Sequence, residues 1–459
     1  MSLPDSTTIL IVGAGPTGLA AALSLLHHGF HDFVIVDAVL NGENTSRALV
    51  VHPATLEALD TIGCGDDIIS QGTKATKPQV GTRSGSLAGP NMAYLKRYTR
   101  HPYALVIPQN LTEHVLGTKL ASFGVSVHRP LKVVGMKRNT ENTQLTDVTF
   151  EDGRVVTTKY VVGADGARSV VRTTAGIGFH DPISEKSEQV TNLAQMVLAD
   201  VTFDASDEDV PFSGTLSSNS FFLRAHLPFT FNEYLVANGH PNLSGQLYRI
   251  GCGVPLEDGE IPHSPSREYL QNLVDRFGPY SLSSDSSVNP KSKSVCIKDV
   301  VWATRFRNHA AIADTPFTRL GSSGSSQPGE PEGGVIFLVG DAAHIHSPAG
   351  GQGMNLGLRD AVFLGEILTK HIHATETKPL SEADAILRDF AAVRHARALE
   401  VIGLTKGLLS VMGSKDGEWM YWWLPISAAT FRNWALWVAG KLPFVQQKMA
   451  WELSGLGRR

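Results

Sequence analysis

A cluster of glycines set between an apolar strand and an apolar helix constrains this chain most. Residues 8–12 (TILIV) are a short run rich in β-branched residues with no polar break, the pattern of a strand covered on both faces. Gly13-Ala14-Gly15-Pro16-Thr17-Gly18 follows, and Pro16 suits the first turn of a helix that residues 17–28 continue with apolar residues at helical spacing. Gly29 ends that helix, and residues 33–36 (FVIV) form a second buried strand closed by Asp37. In Gly13-x-Gly15-x-x-Gly18 the first glycine permits the tight turn, the second admits a pyrophosphate to the backbone, and the third lets helix and strand pack closely. Amides at the helix N-terminus favour phosphate, and Asp37, 19 residues after Gly18, places a carboxylate where an adenosine ribose would bond it. The unit predicts a dinucleotide site.

Residues 6–31 contain no Asp, Glu, Lys or Arg, which imitates a signal peptide or a membrane span. No basic segment precedes them, and Pro16 with three glycines interrupts the run, so a buried strand, turn and helix is the better reading. The 459 residues suit two or three lobes. Lys+Arg 40 against Asp+Glu 44 leaves no basic field for nucleic acid. Cys64, Cys252 and Cys296 have no C-x-x-C spacing, so neither a disulfide scaffold nor a cysteine zinc site is expected, and a reducing, cytoplasmic setting is.

Further along, the pattern predicts helices at 53–62 and 110–123 and strands at 103–107, 125–128, 148–150 and 160–162. Residues 181–300 alternate acidic and Ser/Pro-rich loops with strand-like runs at 221–224 and 247–250, which reads as a mostly β lobe. Residues 320–334 are small, polar and rich in Pro and Gly, so a mobile surface loop is expected before an apolar strand at 335–339. A helix beginning near Gly353 places Met354, Leu358, Ala361, Gly365, Leu368 and Ile372 on one stripe, and from 381 the pattern reads as helical to the end. The expected fold is α/β with a β lobe: a Rossmann-type nucleotide-binding domain from 1–180 and 301–375, a substrate-binding β lobe at 181–300, and a helical region at 376–459.

Two more stretches narrow the nucleotide. Gly163-Ala164-Asp165-Gly166-Ala167-Arg168-Ser169 follows a strand and opens a helix, and Gly340-Asp341-Ala342-Ala343-His344 leads into Pro348-Ala349-Gly350-Gly351-Gln352-Gly353-Met354-Asn355. In this order and at these separations the three motifs resemble those of the FAD-dependent aromatic hydroxylases, the class A flavoprotein monooxygenases of the para-hydroxybenzoate hydroxylase fold. The resemblance extends to Ser46-Arg47-Ala48, to Ile107-Pro108-Gln109 and to Leu453-Ser454-Gly455-Leu456. It implies FAD as cofactor, NADPH or NADH as transient reductant, and O2 as co-substrate, acting through a flavin hydroperoxide on a phenolic ring, with loss of a ring carboxyl group as a variant. It implies that Asp341 bonds the ribityl chain, that Asp165 serves both flavin and NAD(P)H, and that Arg47 and Gln109 contact the flavin. Pro348, Gly351, Gly353, Met354 and Asn355 form a backbone-rich loop at a helix N-terminus, whose dipole suits the pyrimidine edge of reduced flavin. An epoxidase or Baeyer-Villiger oxygenase of the same fold is the alternative enzyme, and a prenyl-binding protein on the same scaffold the alternative without catalysis. No separate nicotinamide domain is expected.

His344 with His346, and His27-His28 with His31, lack further ligands at metal spacing, so no metal is expected. The group that ionises the substrate is sought in the β lobe at Arg224 or Tyr248, with His226 and Arg249 beside them. Strand alternation puts Arg224 and His226 on one face, and Tyr248 and Arg249 on opposite faces. Trp419, Tyr421, Trp422, Trp423, Phe431, Trp434 and Trp437 make an aromatic tail interrupted by Pro425 and Arg432, too broken for a transmembrane span. Either these rings pack on the other lobes, or they border a route for lipophilic phenols and lie peripherally on a membrane. Monomer and homodimer are both compatible with the sequence.

Overall fold

The computed structural model describes residues 3–40, 48–182, 195–205, 211–217, 219–307, 309–321, 333–412, 419–421 and 424–458. Arg47, residues 322–332 of the loop expected at 320–334, Trp422 and Trp423 lie outside these residues. The nucleotide domain is built on parallel strands in the order Val335–Leu338, Val155–Gly163, Ser6–Val12, Phe33–Val36, with Phe317–Arg319 antiparallel at one end. Thr146–Phe150 and Val133–Arg138 add an antiparallel extension along Val155–Gly163. Ile9, Leu10 and Ile11 are fully buried, as a strand covered on both faces requires.

Helix Pro16–His27 crosses behind the sheet and packs against the long helix Gly353–Thr377. The approach is close because Gly365 lies against Ser24, whose hydroxyl donates to the Val362 carbonyl. Gly357 likewise sits against Gly340 and Thr17, which brings the first and third motifs to one end of the sheet. Leu358, Ala361, Gly365 and Leu368 of the expected stripe are buried, while Met354 and Ile372 are half-buried.

The β lobe is a second sheet in the order Ile297–Arg307, Gln195–Phe203, Leu247–Val254, Phe221–His226, Phe212–Leu216, Gln79–Thr82, Ser86–Ala88. Two of its strands come from 79–88, far upstream, and the expected boundary at residues 300 and 301 falls inside Ile297–Arg307. The lobe has two unlike faces. Tyr248, Ile250, Val197 and Phe222 pack on the helix Arg267–Phe277, while Met196, Leu198, Phe221 and Leu223 face the nucleotide domain.

Several local expectations need correction. Residues 125–128 form no strand; only His128 makes a bridge to Val36. The C-terminal region is not helical throughout, because Trp419–Tyr421 and Leu424–Ser427 pair as a hairpin between the helices Leu380–Met412 and Ala428–Ala439. Pro425 lies in the second of these strands and has no amide hydrogen with which to continue a helix.

Candidate active site

The strand-helix turn separates the tasks of its glycines. Gly13 has a φ of 102°, and a side chain there would strike the Ala164 carbonyl; one at Gly18 would strike the carbonyl of Gly13. At Gly15 the nearest group is Glu113 Oε1 at 4.0 Å, so this position alone is open to a ligand. Asp37 lies at the tip of the second strand, its Oδ2 accepting from the Ala14 amide at 2.6 Å and its Oδ1 from the Val39 amide at 2.8 Å. Arg129 stands 3.8 Å from that carboxylate. Burial pushes the Glu113 carboxyl above its ordinary range, although Gln109 Nε2 donates to it at 2.9 Å. Gln109 also receives the Ala48 amide at 3.4 Å and donates its own amide to the Ala48 carbonyl, tying its helix to the segment after Arg47.

Asp165 does not line the cavity described below. Its Oδ2 accepts from the Val170 and Val171 amides at 2.8 and 3.1 Å, capping a short helix, while Oδ1 is buried with no hydrogen-bond partner among the described residues. Burial raises its pKa, opposed by those bonds and by Ser169. The carboxylate thereby fixes the turn that presents Ala164, Gly166 and Ala167 to the cavity.

The third motif closes the track. Asp341 is exposed on the cavity wall, and the chain then turns through Gly350 and Gly351, with φ of 77° and 62°, into the helix beginning at Gly353. Pro348, Gly351, Gly353 and Met354 line the cavity. Asn355 does not, contrary to the expectation of a cofactor contact. It is buried, donates to the carbonyls of Val50 and Gly351 at 2.7 and 2.6 Å, and accepts the His52 amide at 2.7 Å, so it braces the loop from behind. His52 Nε2 donates to the Gly350 carbonyl at 2.8 Å, and burial lowers its pKa to about 4. Burial lowers that of His346 to about 4 as well, opposed by its bond to the Ser347 carbonyl. Both imidazoles are neutral at pH 7, so the helix N-terminus is the positive element at this loop. His344 bonds Asp360 at 2.6 Å, and Asp360 bonds Arg394 at 2.6 Å.

One cavity of about 620 Å³ joins Gly15 and Thr17, Asp341, the Pro348 to Met354 loop, and the β lobe. Its floor is apolar: Met196, Leu198, Phe212, Phe221, Leu223, Ala225 and Phe306. Neither Arg224 nor Tyr248 reaches it. In the antiparallel register Arg224 pairs with Ile250 and His226 with Tyr248, on the face turned away, and Tyr248 packs edge-on against Phe203 and His226. The next residue along, Arg249, pairs with Ala225 on the cavity face and lines the space. It donates two bonds of 2.7 Å to the Asp200 carboxylate, which orient it, and one to the Ala48 carbonyl at 3.1 Å. Alternation alone could not say which face of the lobe would be covered by its helix. The acid that fixes Arg249 lies 49 residues earlier, with no local signal to mark it.

The groups along this track suit a flavin dinucleotide: an open glycine at a helix N-terminus, an acid at the tip of the second strand, another on the cavity wall, and a loop of amides at the far end. The sequence profile of the FAD binding domain family matches residues 6–228 and 330–398. Among curated relatives, 6-methylpretetramide 4-monooxygenase of Streptomyces rimosus is 29% identical over 78% of this chain and 54% of its own length. Pentachlorophenol 4-monooxygenase of Sphingobium chlorophenolicum is 26% identical over 87% of this chain and 66% of its own. The chain thus spans about half to two thirds of the length of these two relatives. The crystal structure of p-nitrophenol 4-monooxygenase from Pseudomonas putida superposes with a TM-score of 0.74 at 21% identity, covering 99% of each chain. By this profile, the chain belongs to the FAD binding domain family, and it shares its fold with p-nitrophenol 4-monooxygenase.

Proposed function

We propose that this chain is an FAD-dependent monooxygenase that uses NADPH or NADH and O2 to insert one oxygen atom into a phenolic ring, with displacement of a ring carboxyl group as a variant of the same attack. The carrying observation is the single cavity in which the glycine turn, Asp341 and the Pro348 to Met354 loop meet an apolar sheet floor. FAD supplies hydride acceptance and oxygen activation when bound. Gly15 admits the pyrophosphate to the helix N-terminus, Asp37 accepts from the adenosine ribose, and Asp341 accepts from the ribityl chain. Gln109 holds the Ala48 segment beside the flavin, and the amides at Gly353 and Met354 favour negative charge on the pyrimidine edge.

The sheet floor excludes water from the ring to be oxidised, which strengthens every polar contact made there. Electrophilic oxygenation needs an electron-rich ring, so a cation must favour the phenolate form of the substrate. Arg249 meets this requirement: it lines the cavity, its guanidinium is a cation suited to an anionic oxygen, and Asp200 fixes its orientation. The test is a panel of phenols and hydroxybenzoates scored for substrate-stimulated NAD(P)H oxidation, with products checked for one added oxygen. Purified protein without bound or releasable FAD, or with no response to any phenol, would count against the reading.

A further inference from the structure

The helix Ala428–Ala439 has two faces of opposite character. Its inner face is anchored: Arg432 is buried and donates to the Ser217 carbonyl at 3.1 Å, and Leu436 packs into the cluster that contains Phe221 and Leu223 of the cavity floor. Its outer face presents Phe431, Trp434 and Trp437 at 40%, 60% and 45% exposure, three residues apart. Leu442 and Phe444 follow at 38% and 68% exposure. Soluble surfaces show single exposed apolar residues, not five within 14 positions, three of them in register on one helix.

The charge of this segment is as one-sided as its exposure. Residues 419–451 contain Arg432, Lys441 and Lys448 and no Asp or Glu. The Lys441 ammonium stands 3.5 Å from the centre of the Trp437 ring, so cation and aromatic ring occupy the same ledge. Indole rings beside lysine, on a helix with a buried polar anchor behind, are the composition of an interfacial helix that lies in the headgroup layer. No described helix is long and apolar enough to cross a membrane. A second copy of the chain fits less well, because the face would meet its own basic residues with no acid in the segment to pair them.

We propose that Phe431, Trp434, Trp437, Leu442 and Phe444 dock this protein on an anionic bilayer surface, with Lys441 and Lys448 meeting the lipid headgroups. Because the inner face of the same helix packs on the cavity floor, docking brings that floor next to the bilayer, and a lipophilic phenol enters from the lipid. This last step rests on the monooxygenase reading, whereas the docking does not.

The test is flotation of the full chain, purified with its flavin, on vesicles of phosphatidylcholine alone and of phosphatidylcholine mixed with phosphatidylserine. The protein should float with the anionic vesicles, less with neutral ones, and salt should release it. The double variant Trp434→Glu with Phe444→Glu should lose roughly tenfold or more of the lipid-bound fraction, with flavin content and circular dichroism unchanged. Trp434→Ser with Phe444→Ser should lose binding in the same direction, which keeps the test valid if the glutamates disturb folding. Wild-type protein that stays unbound on anionic vesicles overturns the proposal. So does a solution dimer that the glutamates split while vesicle binding is absent, since the face then belongs to a second copy. Lipid binding by a protein that oxidises no phenol supports the docking and defeats the monooxygenase reading alone.

Discussion

Arg249 and Asp200 stand directly opposite one another on neighbouring strands of the β lobe, joined Nε to Oδ1 and Nη2 to Oδ2 at 2.7 Å each, with side chains 2% and 0% exposed. Burying both charges gains little over a well-packed apolar pair, but removing one partner strands the other. Arg249→Met should therefore destabilise the fold by about 3–5 kcal/mol in denaturant unfolding. Adding Asp200→Leu to Arg249→Met should recover most of that loss. Turnover separates the roles: the double variant should fold yet show kcat/KM for phenols reduced about 100-fold, because the cation facing the ring is gone. Recovery of activity together with stability would reduce Arg249 to a packing element.

The glycines of the first turn differ in what they tolerate. Gly18 has no room for a methyl group against the Gly13 carbonyl, so Gly18→Ala should lower both Tm and retained FAD. Gly117 is the control, since it lies inside the helix Gln109–Ser122 with nothing within 4 Å of an added methyl. Gly117→Ala should leave FAD content unchanged and stabilise by about 0.5–1 kcal/mol through helix propensity. Equal flavin retention by both variants would remove the packing argument for the motif.

The nucleotide domain was legible because its signals are local. The buried run at 8–12, the three glycines and Asp37 lie within 30 consecutive residues, and each is forced by the backbone around it. The β lobe was legible as alternation but not as orientation. Arg224 and Arg249 carry the same chemistry, and only the packing of Arg267–Phe277 on one face decides that Arg249 meets the cavity. Asn355 misled for a related reason: it sits in the motif, but its amide is committed to Val50, Gly351 and His52. His52 and Glu113 were not found because neither belongs to a motif; each becomes part of the site through a loop or helix that arrives from elsewhere.

The two faces of the β lobe give a direct comparison. Tyr248 packs against Phe203 and His226 on the far side, so Tyr248→Phe should leave KM for the substrate within about twofold, any loss falling on stability instead. Leu223→Trp on the cavity floor fills the space with an indole and should raise KM or block binding altogether, with FAD retained. Substrate kinetics sensitive to Tyr248→Phe and indifferent to Leu223→Trp would place the ring on the other face.

Stability should fall with acid before the carboxylates titrate. Burial holds both His52 and His346 at about 4, below the ordinary 6.5, and their Nε2 and Nδ1 atoms bond the carbonyls of Gly350 and Ser347. As pH drops below 6.5 the unfolded chain takes up a proton at each imidazole while the folded chain refuses it until about 4. The stabilisation is thus fully present above 6.5 and is lost progressively down to about 4, by roughly 2–3 kcal/mol for each residue. Urea unfolding followed from neutral pH downward should show this slope. His346→Asn, whose amide can reach the Ser347 carbonyl without titrating, should remove about half of it. A slope unchanged in His346→Asn would mean that this imidazole already accepts a proton in the folded loop, and with it a positive charge beside the helix N-terminus at Gly353.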